Sequence, residues 1–238
     1  IDRLYGNDVL EDPAVTLRVN AHRLRKYLKK TEAFKDADCI RIKLGNYFWD
    51  RNEVPVELDT EVFVNAYEQA EMEKDEETKL SYLMKACRVY QGDFLPELGG
   101  EEWVAIACAD YQKKYFECLK EAEIILLKQD RHEELLELSE QACRYYPYEE
   151  FYLLQIDCLM SLGRFKEAME VYEKATTFYF EELGLTPSEE MVERFHAMSD
   201  KVQYHAVVMT DIKQGLQEEK FQSGAYFCTY PGFTDCYH

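Results

Sequence analysis

The sequence predicts a mainly α protein in which a stack of amphipathic helices follows a single helix and a small β-hairpin. Apolar residues recur at helical spacing almost throughout the segment from Asp59 to Met198. Within that segment a set of residues repeats after 33 positions, a period typical of stacked helix pairs. Upstream of it, two short β-like runs follow one amphipathic helix.

The first helix is predicted to begin at Asp12-Pro13, because Asp caps a helix N-terminus and Pro is preorganised for the first helical position. Its apolar stripe is expected to face a core and consists of Leu17, Ala21, Leu24 and Leu28. The opposite side of the helix then carries Val19, His22, Arg23 and Lys26.

Two β-like runs come next, Cys39–Lys43 and Tyr47–Trp49, and they are joined by Leu44-Gly45-Asn46. Gly and Asn tolerate a positive φ, so the sequence predicts a β-hairpin. A helix followed by a hairpin is the second half of a winged helix-turn-helix. Residues 1–51 are therefore expected to be a truncated winged helix that contains the recognition helix and the β-hairpin wing.

Seven further helices are predicted, near residues 59–74, 77–90, 101–129, 133–145, 149–162, 164–182 and 188–198. Asp59 is the predicted N-cap of the first of them. The repeated residues are Arg131, Glu134, Glu137 and Ala142, which recur as Arg164, Glu167, Glu170 and Ala175. The segment Gly163–Ala175 looks like the second helix of a tetratricopeptide repeat.

Residues 52–199 are accordingly predicted to form a tetratricopeptide-like helical stack, with an ordinary helical bundle that carries a chance repeat as the alternative. Residues 200–238 are expected to be the start of a further, truncated module. A helix near Val207–Glu219 and a strand near Gly224–Tyr230 are predicted there.

The charge of the chain restricts how it could bind nucleic acid. With 47 acidic and 28 basic residues its formal charge is −19, so its overall field repels DNA. The segment from Ala14 to Lys43 instead has nine basic and three acidic residues and carries +6, which leaves −25 on the rest. Contact with DNA is therefore expected only at this basic segment.

Other functional classes find little support in the sequence. The chain lacks a phosphate-binding loop and the common catalytic motifs. We therefore expect that it is not an enzyme and that it binds no cofactor. Its eight Cys have neither C-x-x-C nor metal-ligand spacing, so they predict reduced, buried thiols, no metal and a cytoplasmic location. No apolar run approaches the roughly 20 residues of a membrane helix, so no membrane partner is expected.

Several motifs occur along the chain in a consistent order. They are Leu4-Tyr5-Gly6, Arg23-Leu24-Arg25, Gly45-Asn46-Tyr47, the run YQGDFL at Tyr90–Leu95 followed by Trp103, and the run ELGLTPS at Glu182–Ser188. In these motifs, over residues 1–198, the chain resembles bacterial regulators of the antibiotic-regulatory-protein type. Such regulators join a response-regulator-like winged helix to a tetratricopeptide-like bacterial transcriptional activator domain. Tyr5 replaces the family's usual Trp, and Asn46 replaces the second Gly of the wing.

The resemblance implies a DNA-binding transcriptional regulator, an activator, whose helical domain contacts other proteins. Val19 and Arg23 would meet bases, and His22 shares their face of the helix. Nearer the DNA backbone would lie Arg18, Asn20, Arg25 and Lys26. On the wing, Arg41 and Lys43 would contact phosphates or the minor groove. The implied partners are double-stranded DNA together with RNA polymerase or a second copy of the chain.

Two alternatives remain open at this point. A tetratricopeptide-type interaction scaffold without DNA binding would pack the basic helix against the acidic stack, whereas a regulator would leave it exposed. Tyr145, Tyr146 and Tyr148 flank Pro147 where one repeat passes to the next. These tyrosines are expected either to line a protein-binding groove or to pack between the repeats.

Overall fold

The protein structure is a computed structural model that describes residues 12–201. These residues form two compact units, the first extending to Ile125 and the second beginning at Leu126. They contain eight α-helices and one two-stranded antiparallel sheet, which confirms the mainly α fold class. The Leu4-Tyr5-Gly6 motif and the predictions for Val207–Glu219 and Gly224–Tyr230 lie outside the described residues.

Helix α1 (Pro13–Leu28) is the first element of the first unit. The Asp12 carboxylate accepts hydrogen bonds from the backbone N–H groups of Ala14, at 2.9 Å, and Val15, at 3.0 Å. These N–H groups have no partner within the helix, so the capping side chain stabilises its first turn. The predicted helix start is confirmed.

The predicted β-hairpin is confirmed as well. Strands β1 (Ile40–Lys43) and β2 (Asn46–Trp49) pair antiparallel, with Ile40 opposite Trp49 and Lys43 opposite Asn46. The turn has two residues rather than three, because Asn46 already pairs with Lys43. Both turn residues have positive φ, 51° at Leu44 and 79° at Gly45, as a type I′ turn requires.

The apolar stripe of α1 is narrower than the sequence predicts. Ala21 is buried, and Leu17 and Leu28 are half-buried, but Leu24 is 49% exposed, so its expected place in the core was wrong. Consecutive residues of an α-helix point about 100° apart. The side of α1 that contacts the hairpin runs through Arg25, which turns the adjacent Leu24 towards solvent.

Helices α2 (Asp59–Met72) and α3 (Glu76–Val89) pack against each other in the first unit. Their contact is apolar, with Phe63, Leu83 and Cys87 among the buried residues. This helix pair forms part of the core of the first unit.

Asp59 is not the N-cap of α2, contrary to the prediction. Leu58 occupies that position, and Asp59 is the first helical residue. Its carboxylate accepts a hydrogen bond from the backbone N–H of Thr60 at 2.7 Å. An acidic residue in the first turn still interacts favourably with the helix dipole.

Helix α4 (Glu102–Lys128) has 27 residues and belongs to both units. The second unit continues with α5 (His132–Tyr145), α6 (Glu149–Ser161) and α7 (Phe165–Leu183). Helix α8 begins at residue 189 and includes residue 201. Within the second unit α6 packs against both α5 and α7, as stacked helix pairs do.

The 33-residue repeat corresponds to one turn geometry used twice. Immediately before the N-caps of α5 and α7, Asp130 and Gly163 have positive φ values of 53° and 73°. The next residues, Arg131 and Arg164, donate their backbone N–H groups to the carbonyl groups five residues earlier, at 3.0 and 2.8 Å. This left-handed closure ends one helix and starts the next within a few residues.

The repeated Arg and Glu side chains hold the first turn of each following helix. The Nε atom of Arg131 donates to Glu134 at 2.6 Å, and the Nε atom of Arg164 donates to Glu167 at 2.7 Å. The repeated residues Ala142 and Ala175 are fully buried. The repeated Arg, the Glu three positions later and the repeated Ala therefore have the same structural role in both copies of the repeat, which confirms the tetratricopeptide-like stack.

The cysteines of the described region serve as small apolar side chains. Cys39, Cys87, Cys118 and Cys158 are buried, whereas Cys108 and Cys143 are half-buried, and all six are free thiols. A hydrogen bond with Cys118, together with burial, raises the pKa of the Cys87 thiol well above its usual value. Residues 12–201 include no helix long and apolar enough to cross a membrane. The same residues bring together no group of His, Cys, Asp and Glu that could hold a metal ion.

Candidate nucleic-acid interface

One face of α1 presents the residues that the sequence places against DNA. Val19, His22, Arg23 and Lys26 occupy positions i, i+3, i+4 and i+7, so they lie on one side of the helix. All four are exposed, and the Val19 side chain remains 42% exposed although it is apolar. The face therefore combines two basic side chains, an imidazole and an aliphatic group on one helical surface.

Arg18 and Asn20 lie beside this face and are also exposed. Arg18, Arg23 and Lys26 form no ion pair with any other residue between 12 and 201. Their charges are thus available to a partner of opposite charge.

Arg25 has a different position from its neighbours. Its guanidinium donates two hydrogen bonds to the backbone carbonyl of Ile40, from Nε at 3.1 Å and from Nη2 at 2.7 Å. The Nε atom also lies 3.5 Å from Oδ1 of Asp38. Arg25 therefore joins α1 to the start of β1 within the protein.

The geometry of the hairpin explains why Arg25 finds this acceptor. The backbone N–H of Asp50 donates to the Cys39 carbonyl at 2.7 Å, which makes these two residues a hydrogen-bonded pair of the ladder. Such pairs alternate with pairs whose carbonyl groups point away from the partner strand, and Ile40 opposite Trp49 is one of the latter. Arg25 satisfies the carbonyl group that β2 cannot reach.

Arg41, on the wing, is surrounded by three carboxylates. Its guanidinium lies 2.8 Å from Glu53, 3.4 Å from Asp50 and 3.7 Å from Asp38. Lys43, at the end of β1, is exposed. The structure thus places Lys43 at the outer end of the wing, while Arg41 is held by acidic groups near its base.

Asp38 is the residue of this region that the sequence analysis missed. Its two carboxylate oxygens face Arg25 and Arg41, so it connects the helix and the wing through one side chain. A signal was present, since Asp38 is an acidic residue within the basic segment and lies just before the first predicted strand.

The base of the wing is fixed by aromatic contacts. The Trp49 indole N–H donates to the Val54 carbonyl at 2.9 Å. The Phe34 ring meets the Trp49 ring edge to face, with centroids 5.7 Å apart. The wing is thereby held on both sides, by Arg25 of α1 and by the segment that leads to α2.

The three tyrosines of the predicted interaction surface differ in burial. Tyr146 is buried, Tyr145 is half-buried and Tyr148 is 44% exposed. The Tyr179 hydroxyl donates to the Pro147 carbonyl at 2.9 Å, which ties this segment to α7. Tyr146 thus contributes to packing, whereas Tyr148 presents an aromatic surface.

Comparison with protein families matches residues 58–198 to the family described as bacterial transcriptional activator domain. Among solved structures, the chain is similar to Mycobacterium tuberculosis EmbR in complex with a low affinity phosphopeptide. That alignment has 16% sequence identity and a TM-score of 0.47, and it covers 90% of this chain and 59% of that chain. The chain thus spans about 59% of the length of that relative. Comparison with curated proteins finds no match.

The family match covers more than half of the chain and corresponds to the region from α2 to α8. It includes the repeat around Arg131 and Arg164 and the ELGLTPS motif at Glu182–Ser188. The match confirms the activator-domain part of the resemblance noted from the sequence, and the matched family is one of transcriptional activators rather than of enzymes. The chain belongs to the family of proteins that contain a bacterial transcriptional activator domain.

Proposed function

We propose that this chain belongs to a DNA-binding transcriptional activator that acts in the bacterial cytoplasm. Residues 1–51 are its DNA-binding region, residues 52–199 its activator domain, and residues 200–238 the start of a further module. The observation that carries the proposal is the exposed face of α1, on which Arg23 and Lys26 have no acidic partner among the described residues.

The chemistry of this face suits the major groove, which admits one α-helix. Arg23 can donate two hydrogen bonds to a guanine, and the Val19 methyl groups can contact a thymine methyl. Arg18 and Asn20 lie beside the face and Lys26 at its C-terminal end, where contacts with phosphates would set the register of the helix on the DNA. Lys43 would reach the DNA backbone from the wing. Arg25 and Arg41 would instead support the interface by holding α1 and the wing together.

The test uses the full chain and a labelled DNA duplex of mixed sequence, because sequence-independent binding depends on phosphate contacts. Fluorescence anisotropy is recorded over a series of salt concentrations. The native chain is expected to bind at low salt. The double variant Arg23→Gln/Lys26→Gln is expected to bind about tenfold more weakly. The slope of the logarithm of the binding constant against the logarithm of the salt concentration should become shallower by about 1, because only Lys26 of the two is assigned to a phosphate.

Lys113→Gln/Lys166→Gln is the matched control. Both lysines are exposed on helices, and each lies 3.8 Å from a Glu four residues later, so the variant removes the same net charge elsewhere. The control should bind as the native chain does. Equal losses in both double variants, or no salt-dependent binding by the native chain, would contradict the proposal.

The activator domain is proposed to contact RNA polymerase or a second copy of the chain. The support is the half-exposed aromatic surface at Tyr148, whose ring stacks on Phe151 with centroids 6.1 Å apart. Exposed aromatic groups of this kind are common at protein interfaces. Tyr148→Ala should weaken self-association in sedimentation experiments, or capture of purified polymerase, without changing the helical content. Unchanged behaviour in both assays would remove Tyr148 from the interface.

The alternative function is an interaction scaffold that does not bind DNA. The observation that favours the scaffold is that Arg25 and Arg41 are engaged by acidic groups of their own chain. The scaffold requires that acidic groups of the chain engage the whole basic helix, whereas Arg18, Arg23 and Lys26 are exposed. The exposure favours the regulator.

A further inference from the structure

A cavity of about 280 Å³ lies in the first unit, wholly within residues 59–111. It is formed by the start of α2, the end of α3, the YQGDFL segment and one residue of α4. No residue of α1 or of the hairpin lines it, so it is independent of the proposed DNA contacts. Its size suits a small organic molecule rather than a folded partner.

The YQGDFL segment (Tyr90–Leu95) gives the cavity its outer wall. Gly92 has a φ of 101°, and Leu95 has a φ of 45°, which is unfavourable for a branched side chain. Pro96 then begins a short 3₁₀ helix, which fixes the segment at its far end. Unfavourable backbone conformations of this kind are concentrated at binding sites, where the surrounding structure maintains them.

Four aromatic rings form a continuous series along the cavity. Phe63 lies 5.5 Å from Tyr90 and 6.1 Å from Tyr111, and Tyr111 lies 5.3 Å from Phe94, measured between ring centroids. The successive rings are inclined to each other by 50°, 71° and 58°. All four rings are among the residues that line the cavity.

The charged groups of the cavity all have the same sign. Asp59 and Asp93 are exposed carboxylates among the twelve described residues that line it, and none of the twelve is Lys, Arg or His. An anion placed here would meet two negatively charged side chains and no positively charged side chain. The net charge of −19 on the whole chain favours a cation further.

We propose that this cavity binds a small organic cation of the alkylammonium or quaternary ammonium class. Aromatic rings attract such cations through their quadrupoles, and Asp59 and Asp93 add a Coulombic attraction at the rim. The apolar substituents of the cation would replace water against the rings. The activator domain thereby gains a site for a small-molecule ligand.

Choline and its neutral carbon isostere test this inference on the full chain. In the isostere a tert-butyl group replaces the trimethylammonium group, so the two compounds have nearly the same shape and differ in charge. Each gives one intense methyl line, whose shift on titration with the protein reports binding beside aromatic rings. Choline is expected to bind with a Kd in the millimolar range or tighter, and the isostere at least about tenfold more weakly.

Two variants with matched controls locate the site. Asp59→Asn keeps the acceptor for the Thr60 N–H but removes the charge, and Asp75→Asn does the same at the start of α3, outside the cavity. Phe94→Leu removes a half-buried ring of the cavity, and Phe180→Leu removes an exposed ring of the second unit. Each cavity variant should weaken choline binding by about threefold to thirtyfold, while the controls leave it unchanged.

The results distinguish the inference from its rivals. Saturable binding of choline that is weakened in Asp59→Asn and in Phe94→Leu, but not in the controls, supports it, whereas unchanged binding in both cavity variants would overturn it. Absence of saturable binding, equal binding of the neutral isostere, or equal losses in the control variants would overturn it. Asp59→Asn also guards against a general unfolding effect of Phe94→Leu, because it removes no buried side chain.

Discussion

Replacement of Arg25 by Met is expected to loosen the wing without altering the exposed basic face of α1. Met retains the apolar stem of the side chain but removes the guanidinium. The variant therefore loses both hydrogen bonds to the Ile40 carbonyl and the contact with Asp38. Arg23→Met is the matched control, since Arg23 is two positions earlier, carries the same charge and is exposed.

The expected magnitude follows from the burial of these groups. The Ile40 residue is 7% exposed and the Arg25 side chain is 27% exposed, so the carbonyl loses its charged donor in a partly dry environment. A hydrogen bond to a charged group contributes about 1.5–3 kcal/mol, and partial solvent access reduces that to about 1–2 kcal/mol here. The equilibrium constant for opening of the hairpin should then rise by a factor of about 5–30.

Amide hydrogen exchange of peptides that cover residues 39–50 measures this opening directly. In Arg25→Met, exchange in these peptides is expected to accelerate by that factor, while peptides from α6 remain unchanged. Arg23→Met should leave all of these rates at their native values and weaken DNA binding instead. If Arg25→Met exchanged as slowly as the native chain, or if both variants accelerated exchange alike, the supporting role of Arg25 would be refuted.

Three further predictions concern single positions. Leu44→Asn should raise the free energy of hairpin opening by about 0.5–1 kcal/mol, because Asn-Gly suits the type I′ turn that Leu44 adopts at a φ of 51°; faster exchange of residues 39–50 would contradict this. Asp130→Gly should raise the free energy of unfolding in urea by about 0.5–1 kcal/mol, because the equivalent turn residue of the second repeat is Gly163. A decrease would mean that the contact between Asp130 and His132 at 3.9 Å outweighs the backbone effect. Burial raises the pKa of the Cys143 thiol to about 11 and leaves less thiolate, so alkylation at pH 8 should be about a hundredfold slower than in the urea-unfolded chain; equal rates in mass spectrometry would exclude that burial.

The helical stack could be predicted because its signals are local. Four features recur at fixed spacing, and each acts within its own helix or turn. They are a residue with positive φ, an Arg, a Glu three positions after the Arg, and a buried Ala. Gly163 and Arg164 could thus be assigned to a tight turn before any contact was known. The observed bounds of α2 to α7 differ from the predicted ones by two residues at most.

The roles of the basic residues could be predicted only in part, because helical periodicity assigns faces but not partners. It placed Arg23 and Lys26 on the outer side correctly. It could not distinguish Arg25, since the Ile40 carbonyl and Asp38 come near α1 only after the hairpin has folded back on it. Leu24 was misplaced for the same reason.

The cavity lay beyond the reach of sequence reasoning on different grounds. Its YQGDFL segment was recognised as a motif, but its shape depends on the φ values of Gly92 and Leu95. A Leu gives no signal for a left-handed conformation, because such a conformation is set by the surrounding structure rather than by local preference. The contact of Phe63 with Tyr111 is likewise tertiary.

The distribution of charge gives the proposed DNA contact an orientation. Arg25 and Arg41 are offset by acidic neighbours, so the attraction to phosphates falls to residues such as Arg18, Arg23 and Lys43. The rest of the chain carries −25 and is repelled by the same phosphates. Under the proposed function, a duplex would therefore be drawn to one face of α1 and kept from most other surfaces of the chain. Because added salt screens both effects, it should weaken binding and relax this orientation together.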